Sequence, residues 1–407
     1  MTPKALLTAF MPVTMMRIRS AVAARRPAQS VSILPSKGPD PALVMRPGLV
    51  AHDADWQHPA MTEGHAFAQM QRLLPPQPKG GDTVYLGFPW ATLIDLKQFA
   101  DHRADKVAAL ESALAGLAEA AAPYRRVITV CQHINMRHFA PLLQAAGVTD
   151  VYWSHAVKGQ PRLPEAPQIA IHPFPLFPVQ QSAPLGPGQR SILYSFVGAR
   201  ATPYYMTQVR RWIVTQLADD PRGHVSERQT WHYAKAVYDD QIRDQADSDV
   251  PLVDQTASKD FRDVMARSIF ALCPSGTGPN SIRLWEAAQA GTIPVVLADT
   301  YASPGPDWLW HAATVRCRET PGAVARLPAR LARLAADPHR IALRQRALAL
   351  LTQTYGPDRF VHDILTRFDV PGDAQTQALA DDAAALRRDL LAGQTLARIW
   401  AQVRRRS

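Results

Sequence analysis

Apolar residues in this chain cluster into short runs separated by stretches of helix length. TVYLGF (83–88), RVITVC (126–131) and DVYWS (150–154) are too short for helices and rich in β-branched and aromatic residues, so they predict strands. Between them, an alanine-rich pattern over 103–122 stops at Pro123, and residues 136–146 stop at Gly147; both predict helices. Strand, helix, strand in that order predicts a parallel sheet. Residues 27–82 are rich in proline and glycine and read as loops with a few short elements. A second proline-rich passage, 157–191, encloses IAIHPFPLFP and places an interdomain linker near 178–191.

The pattern then repeats. ILYSFVG (192–198) predicts a strand, followed by a helix over 204–218 and a stretch of no clear period through Gln255. A helix over 257–268 precedes the strand IFALCP (269–274), the loop SGTGPN (275–280), the helix SIRLWEAAQA (281–290) and the strand IPVVL (293–297). ATVRC (313–317) adds a strand, and from 322 the chain reads as helices: 322–335, 338–355, 357–368 and 374–403. The division is a basic arm over 1–26, an α/β domain over 27–185, a second over 186–345 and a helical segment over 346–407.

The stretch 272–299 carries the chemistry. Ligands of open α/β sheets bind beyond the carboxyl ends of parallel strands, and a helix N-terminus attracts phosphate. Gly276 and Gly278 allow close backbone approach, and Asn280 or Ser281 can cap the following helix. Arg283 lies in the first helical turn, where a cation opposes the helix dipole at a cost of roughly 0.3–1 kcal/mol. That cost makes sense if Arg283 reaches an anion such as a diphosphate. Glu286, three residues on, shares its face and can accept two ribose hydroxyls. The plain alternative is a capped helix with a surface Arg–Glu pair.

These residues resemble the signature of exostosin-like glycosyltransferases: a strand, then Cys273-Pro274, Gly276, Gly278, Ser281, Arg283, Glu286-Ala287, Gly291 and Pro294-Val295. SFVGAR (195–200) resembles the family's other landmark, and YLGFPWATLIDL, VCQHI and DVYWSHA look like bacterial members. The resemblance runs over about 83–300. It implies a GT-B architecture: two Rossmann-like domains with parallel sheets facing across a cleft, plus C-terminal helices. It also implies inverting transfer from a nucleotide sugar, UDP-linked in this reading, to a glycan or lipid-linked glycan of a bacterial surface polysaccharide. No cofactor and no metal are implied. Carried over by position, Glu286 binds ribose, Arg283 and Arg200 contact phosphate, and Ser275, Gly276, Thr277, Gly278, Asn280 and Ser281 line the nucleotide site.

Inverting transfer needs a base for the acceptor hydroxyl, and the opposite domain offers three at strand ends: His133, His155 and Asp95. His172 reads as positional. The triplets Asp53-Ala54-Asp55 and Asp247-Ser248-Asp249 could in principle hold a metal, but the pattern is common in loops. Tyr204, Tyr205, Trp231, Tyr233, Trp308 and Trp310 could stack on sugar or base, or pack as core. Two other readings stay open: a noncatalytic glycan- or nucleotide-binding protein and a sugar-nucleotide epimerase.

The formal net charge of +10 favours anionic partners, but base-reading and stacking signatures are missing, so nucleic acid is not expected. Cys131, Cys273 and Cys317 sit in or beside apolar runs, an odd and sparse set that predicts reduced, buried thiols and a cytoplasmic setting. Residues 1–26 are too interrupted to span a bilayer, but a basic arm of this kind can touch an anionic membrane face.

Overall fold

The computed structural model describes residues 42–199, 201–229, 235–242, 244 and 254–403, with side chains to 392 in the last helix. The basic arm, Arg200, Trp231, Tyr233 and the Asp247–Asp249 triplet lie outside the described residues. Apart from residues 202–204, the described chain belongs to one compact unit.

The first lobe holds β1 (Leu43–Arg46), β2 (Leu49–His52), α1 (Thr62–Leu73), β3 (Thr83–Gly87), α2 (Trp90–Phe99), α3 (Ala104–Ala121), β4 (Arg126–Cys131), α4 (Ala140–Ala145), β5 (Asp150–Trp153), β6 (Arg162–Leu163) and β7 (Ala166–Pro173). The sheet order is β1-β2-β3-β4-β5-β7-β6, with β2, β3, β4, β5 and β7 parallel and the two outer strands antiparallel. Alternate residues feed two cores. Val50, Val84, Leu86 and Val127 meet α2, α3 and α4 on one face. Leu49, Tyr85, Ile128 and Tyr152 meet α1 on the other. The connections β2→β3 and β3→β4 step the same way across the sheet on opposite faces, so they have opposite hands. One of them departs from the usual right-handed crossover. The segments that follow β2 and β3 are nonetheless held together, with Thr92 Oγ1 donating to the Asp55 carbonyl at 2.7 Å.

The helix Thr62–Leu73 falls where the sequence predicts loops. It starts without a side-chain cap, so the usual start signal is missing.

The second lobe holds β8 (Ile192–Ala199), α5 (Val209–Leu217), β9 (Gly223–Arg228), α6 (Gln255–Ala266), β10 (Ser268–Pro274), α7 (Ile282–Gln289), β11 (Ile293–Leu297), α8 (Asp307–Ala313) and β12 (Val315–Arg316). Its five strands are all parallel in the order β12-β11-β10-β8-β9. The chain leaves β8 for β9 on one side and returns to β10 on the other. The switch point of this sheet thus lies between β8 and β10, where a ligand crevice is expected.

The tail adds α9 (Pro321–Ala325), α10 (Leu327–Ala335), α11 (Pro338–Tyr355), α12 (His362–Leu365) and α13 (Ala374–Val403). Most of it packs on the second lobe through Leu331, Leu348, Leu351, Leu379 and Leu386. The segment around α12 crosses over: Phe360, Val361, Ile364 and Phe368 complete the first-lobe core opposite α2 and α3. The lobes also meet directly. Lys158 donates its N–H to the Thr300 carbonyl and Ala302 to the Ala156 carbonyl, at 3.0 and 3.1 Å, around an antiparallel bridge between Val157 and Tyr301. Among the described residues, no helix is long and apolar enough to cross a membrane. The three cysteines are buried and unpaired with one another, as expected.

Candidate functional site

At the switch point, β8 ends in Val197-Gly198-Ala199 and β10 runs into the loop Ser275–Asn280. Two arginines converge there. Arg283, from the first turn of α7, donates through Nη2 to the Val197 carbonyl at 2.6 Å and lies 4.7 Å from the Phe196 ring centroid. Its Nε and Nη1 are buried without a hydrogen-bond partner. A Cβ on Gly198 would stand 2.7 Å from Nη2, which explains the glycine: it clears the path of the guanidinium. Arg210 comes from α5, is 8% exposed, donates through Nε to the Ser275 carbonyl at 3.2 Å and lies over Tyr205 at 4.4 Å. Burial, and then the charge of Arg283, push its pKa down to about 10. Burial likewise lowers that of Arg283. Both guanidiniums remain charged near neutral pH, and no described carboxylate ion-pairs with either. Beside Arg283, Val197 and Phe261 leave only a dent too small to admit a water molecule.

Arg210 was not singled out by the sequence. The signal was there: with Ile213 and Leu217 it occupies the buried stripe of an amphipathic helix, and a cation in such a stripe asks for a reason.

Glu286 is 4% exposed. One carboxylate oxygen accepts the Gln180 N–H at 2.9 Å, and burial pushes the carboxyl up to about 7 against the pull of that bond and of Arg283. Ser281 occupies the N-cap position of α7, but its side chain makes no capping bond. Asn280 neither caps nor faces the loop. Its Nδ2 donates to the Ser154 carbonyl at 2.9 Å, and its Oδ1 accepts the Trp285 indole N–H at 3.0 Å. All of this ties the loop to the first lobe.

Within the loop the Gly276 N–H is already engaged, donating to the Gly278 carbonyl at 3.0 Å. Thr277 is exposed at the loop tip. The Ser275 hydroxyl donates to Glu319, which also accepts Thr207 Oγ1 at 2.8 Å and the Asp299 N–H at 2.9 Å. Glu319 braces the loop from the end of β12 and was likewise missed by the sequence reading. A carboxylate just past the strand ATVRC was the available signal.

Across the seam, the first lobe presents a buried polar network at the ends of β3, β4 and β5. His133 Nε2 pairs with Asp95 Oδ1 at 2.9 Å, and Gln57 donates to Asp95 Oδ2 at 2.6 Å. Gln132 donates to Gln57 at 2.8 Å. Glu63, on the first turn of α1, accepts the N–H groups of Gln132 and Ala91 at 2.9 and 3.1 Å. Burial outweighs those bonds and holds its carboxyl up at about 8. A carboxyl whose pKa is raised by folding stabilises the protein below its ordinary value and loses that contribution as pH climbs through the folded one. The contribution of Glu63 and Glu286 to stability should therefore fall between about pH 4.5 and 8, against an opposite trend from His155 below about pH 6.5. Denaturant melts across that range should show a shallower slope in Glu63→Gln; an unchanged slope would clear Glu63 of the effect.

His155 is 9% exposed and meets the opposite loop. A Cβ on Gly278 would stand 2.2 Å from its Nδ1. Gly278→Ala should therefore lower stability by about 1–3 kcal/mol through overpacking, and His155→Ala in the same chain should restore most of the loss. Additive losses in chemical denaturation would contradict this contact.

Of the remaining candidates, His172 pairs with Asp150 at 2.8 Å. Asp53 accepts the Trp56 indole N–H at 2.9 Å, while Asp55 pairs with Lys106. Trp285 and Trp310 are core, with ring centroids 5.6 Å apart. A cleft of about 300 Å³ lies between Arg125, Arg126 and Arg162 at the amino ends of the first sheet, the end opposite these loops.

Fold and site together define a two-lobed α/β protein whose second lobe presents two buried cations at its switch point. Residues 134–322 match the family model of the Exostosin GT47 domain. A stretch of 49 residues is 49% identical to a probable glucuronosyltransferase of Oryza sativa subsp. japonica, covering 12% of each chain. Among solved structures, a UDP-N-acetylglucosamine 2-epimerase aligns at 11% identity over 79% of this chain and 95% of that one, with a TM-score of 0.36. The sucrose-phosphate synthase of Thermosynechococcus elongatus aligns at 13% identity over 81% and 72%, with a TM-score of 0.30.

Proposed function

We propose that the protein transfers a sugar from a UDP-sugar to a glycan acceptor by inverting displacement, without an obligatory metal. The observation that carries this reading is the pair Arg210 and Arg283: two buried guanidiniums at a switch point, neither in an ion pair with a described carboxylate. Unpaired buried charge is costly, and a diphosphate supplies the missing counter-charge. Two arginines aimed at a leaving diphosphate can do the work otherwise given to a divalent ion. Glu286, on the same helix, is placed to take ribose hydroxyls. The acceptor enters from the first lobe, over the carboxyl ends of β3 to β5. There its hydroxyl oxygen attacks the anomeric carbon as the bond to the diphosphate breaks. In this reading the acceptor is a bacterial surface polysaccharide or its lipid-linked precursor, and the protein works at the inner face of the membrane.

Calorimetry with UDP, GDP, CDP and CMP, with and without EDTA, tests the donor site. UDP binding indifferent to EDTA, followed by transfer from a UDP-sugar to an added glycan, is the expected result. Binding of no nucleotide would overturn the reading in favour of a noncatalytic glycan-binding protein. Conversion of a UDP-sugar without transfer would favour an epimerase.

A further inference from the structure

The two histidines at the ends of β4 and β5 differ in what their ring nitrogens can still do. His133 is saturated. Its Nδ1 accepts the Asn135 N–H at 3.0 Å, so its proton sits on Nε2, facing Asp95 at 2.9 Å. Neither nitrogen is left for a substrate.

His155 is in the opposite condition. A hydrogen bond from its ring to the Gln132 backbone favours a proton on the ring, and its Nδ1 is buried with no partner. A neutral imidazole carries one N–H and one lone pair. With Nδ1 unpartnered, the tie to the Gln132 backbone falls to Nε2, which leaves the lone pair on Nδ1. That lone pair faces Gly278, the one position of the donor loop where a Cβ would collide with it. Burial, with the nearby His133 ring second, pushes the pKa of His155 down to about 3, so the nitrogen is free of a proton at neutral pH. An unmet buried acceptor costs about 1–3 kcal/mol. Here that cost is borne where the donor loop meets the acceptor lobe.

We propose that His155, rather than His133 or Asp95, is the catalytic base, with Nδ1 taking the proton of the acceptor hydroxyl. As the acceptor oxygen bonds to the anomeric carbon, its proton passes to Nδ1. The bond to the diphosphate breaks and its electron pair leaves with the diphosphate. The imidazolium thus forms while negative charge grows nearby, which offsets the low basicity of the resting ring. The inference rests on the donor-site reading. Gly278 carries no side chain, so only its backbone stands between the nitrogen and the donor loop.

The test uses the full chain labelled with ¹⁵N-histidine, together with His155→Gln and His133→Gln. Two-bond proton–nitrogen spectra should show His155, assigned by its loss in His155→Gln, as the neutral Nε2–H tautomer. UDP release from the UDP-sugar bound most tightly should fall about 10²–10⁴-fold in His155→Gln, with UDP affinity by calorimetry within about threefold of wild type. Added imidazole should restore part of the rate in His155→Ala. A charged or Nδ1–H ring, or an unchanged rate in His155→Gln, would overturn the assignment and leave the donor site standing. Failure of the wild type to bind UDP would overturn the donor-site reading instead.

Discussion

Arg283→Ala should bind UDP about 10- to 150-fold more weakly than wild type, since a hydrogen bond to a charged group is worth about 1.5–3 kcal/mol. Arg210→Ala should do the same, although no motif marks it, and both variants should stay indifferent to EDTA. The double variant should fall short of the summed losses. Each guanidinium is destabilised by the other in the empty site, so removing one relieves its neighbour. Arg283→Lys should not restore affinity. The Val197 carbonyl fixes the orientation of a planar fork over Phe196, and an ammonium cannot reproduce that geometry. Calorimetry on folded variants decides the matter. Wild-type UDP affinity in both single variants would mean that these charges serve the fold alone.

The second large effect is on stability. Phe368→Ala should cost about 3–5 kcal/mol in urea unfolding, the usual range for emptying a buried phenylalanine site. Phe368 is fully buried and lies far along the chain from the sheet it covers. Gly80 donates to its carbonyl at 3.4 Å, and a Cβ on Gly80 would come within 3.2 Å of its Cα. The site therefore has little freedom to collapse around a smaller residue. A loss below about 1 kcal/mol would show that the crossing segment is dispensable to the first lobe.

Strand runs such as RVITVC and IPVVL were legible because their apolar residues are nearly unbroken, and the helix 338–355 because Pro338 and Gly356 mark its ends. The loop-and-helix stretch around Arg283 was legible too, because a cation in a first helical turn is locally unfavourable and so calls for a partner. What the sequence could not show is partnership across distance. Asn280 looks like a cap until Ser154 and Phe174 of the other lobe come to meet its amide. His133 and His155 look alike along the chain. They separate only when the Asn135 N–H closes off one ring and nothing closes off the other. Glu63 sits in a segment that reads as loop, and only the fold carries its carboxyl to the N–H groups of Ala91 and Gln132.

The return of α12 to the first lobe sets an order of events on the ribosome. The face of the first sheet that meets α2, α3 and α4 is largely covered once those helices have emerged, and Val237 and Ile242 add to it soon after. The other face has only α1 until Phe360, Val361, Ile364 and Phe368 arrive, after the whole second lobe has been made. During that interval Leu49, Tyr85, Ile128 and Tyr152 form a partly uncovered apolar surface of the kind that chaperones hold and that aggregates in their absence. The nascent first lobe thus waits for a piece of sequence encoded beyond its partner, and the two lobes complete their folding together.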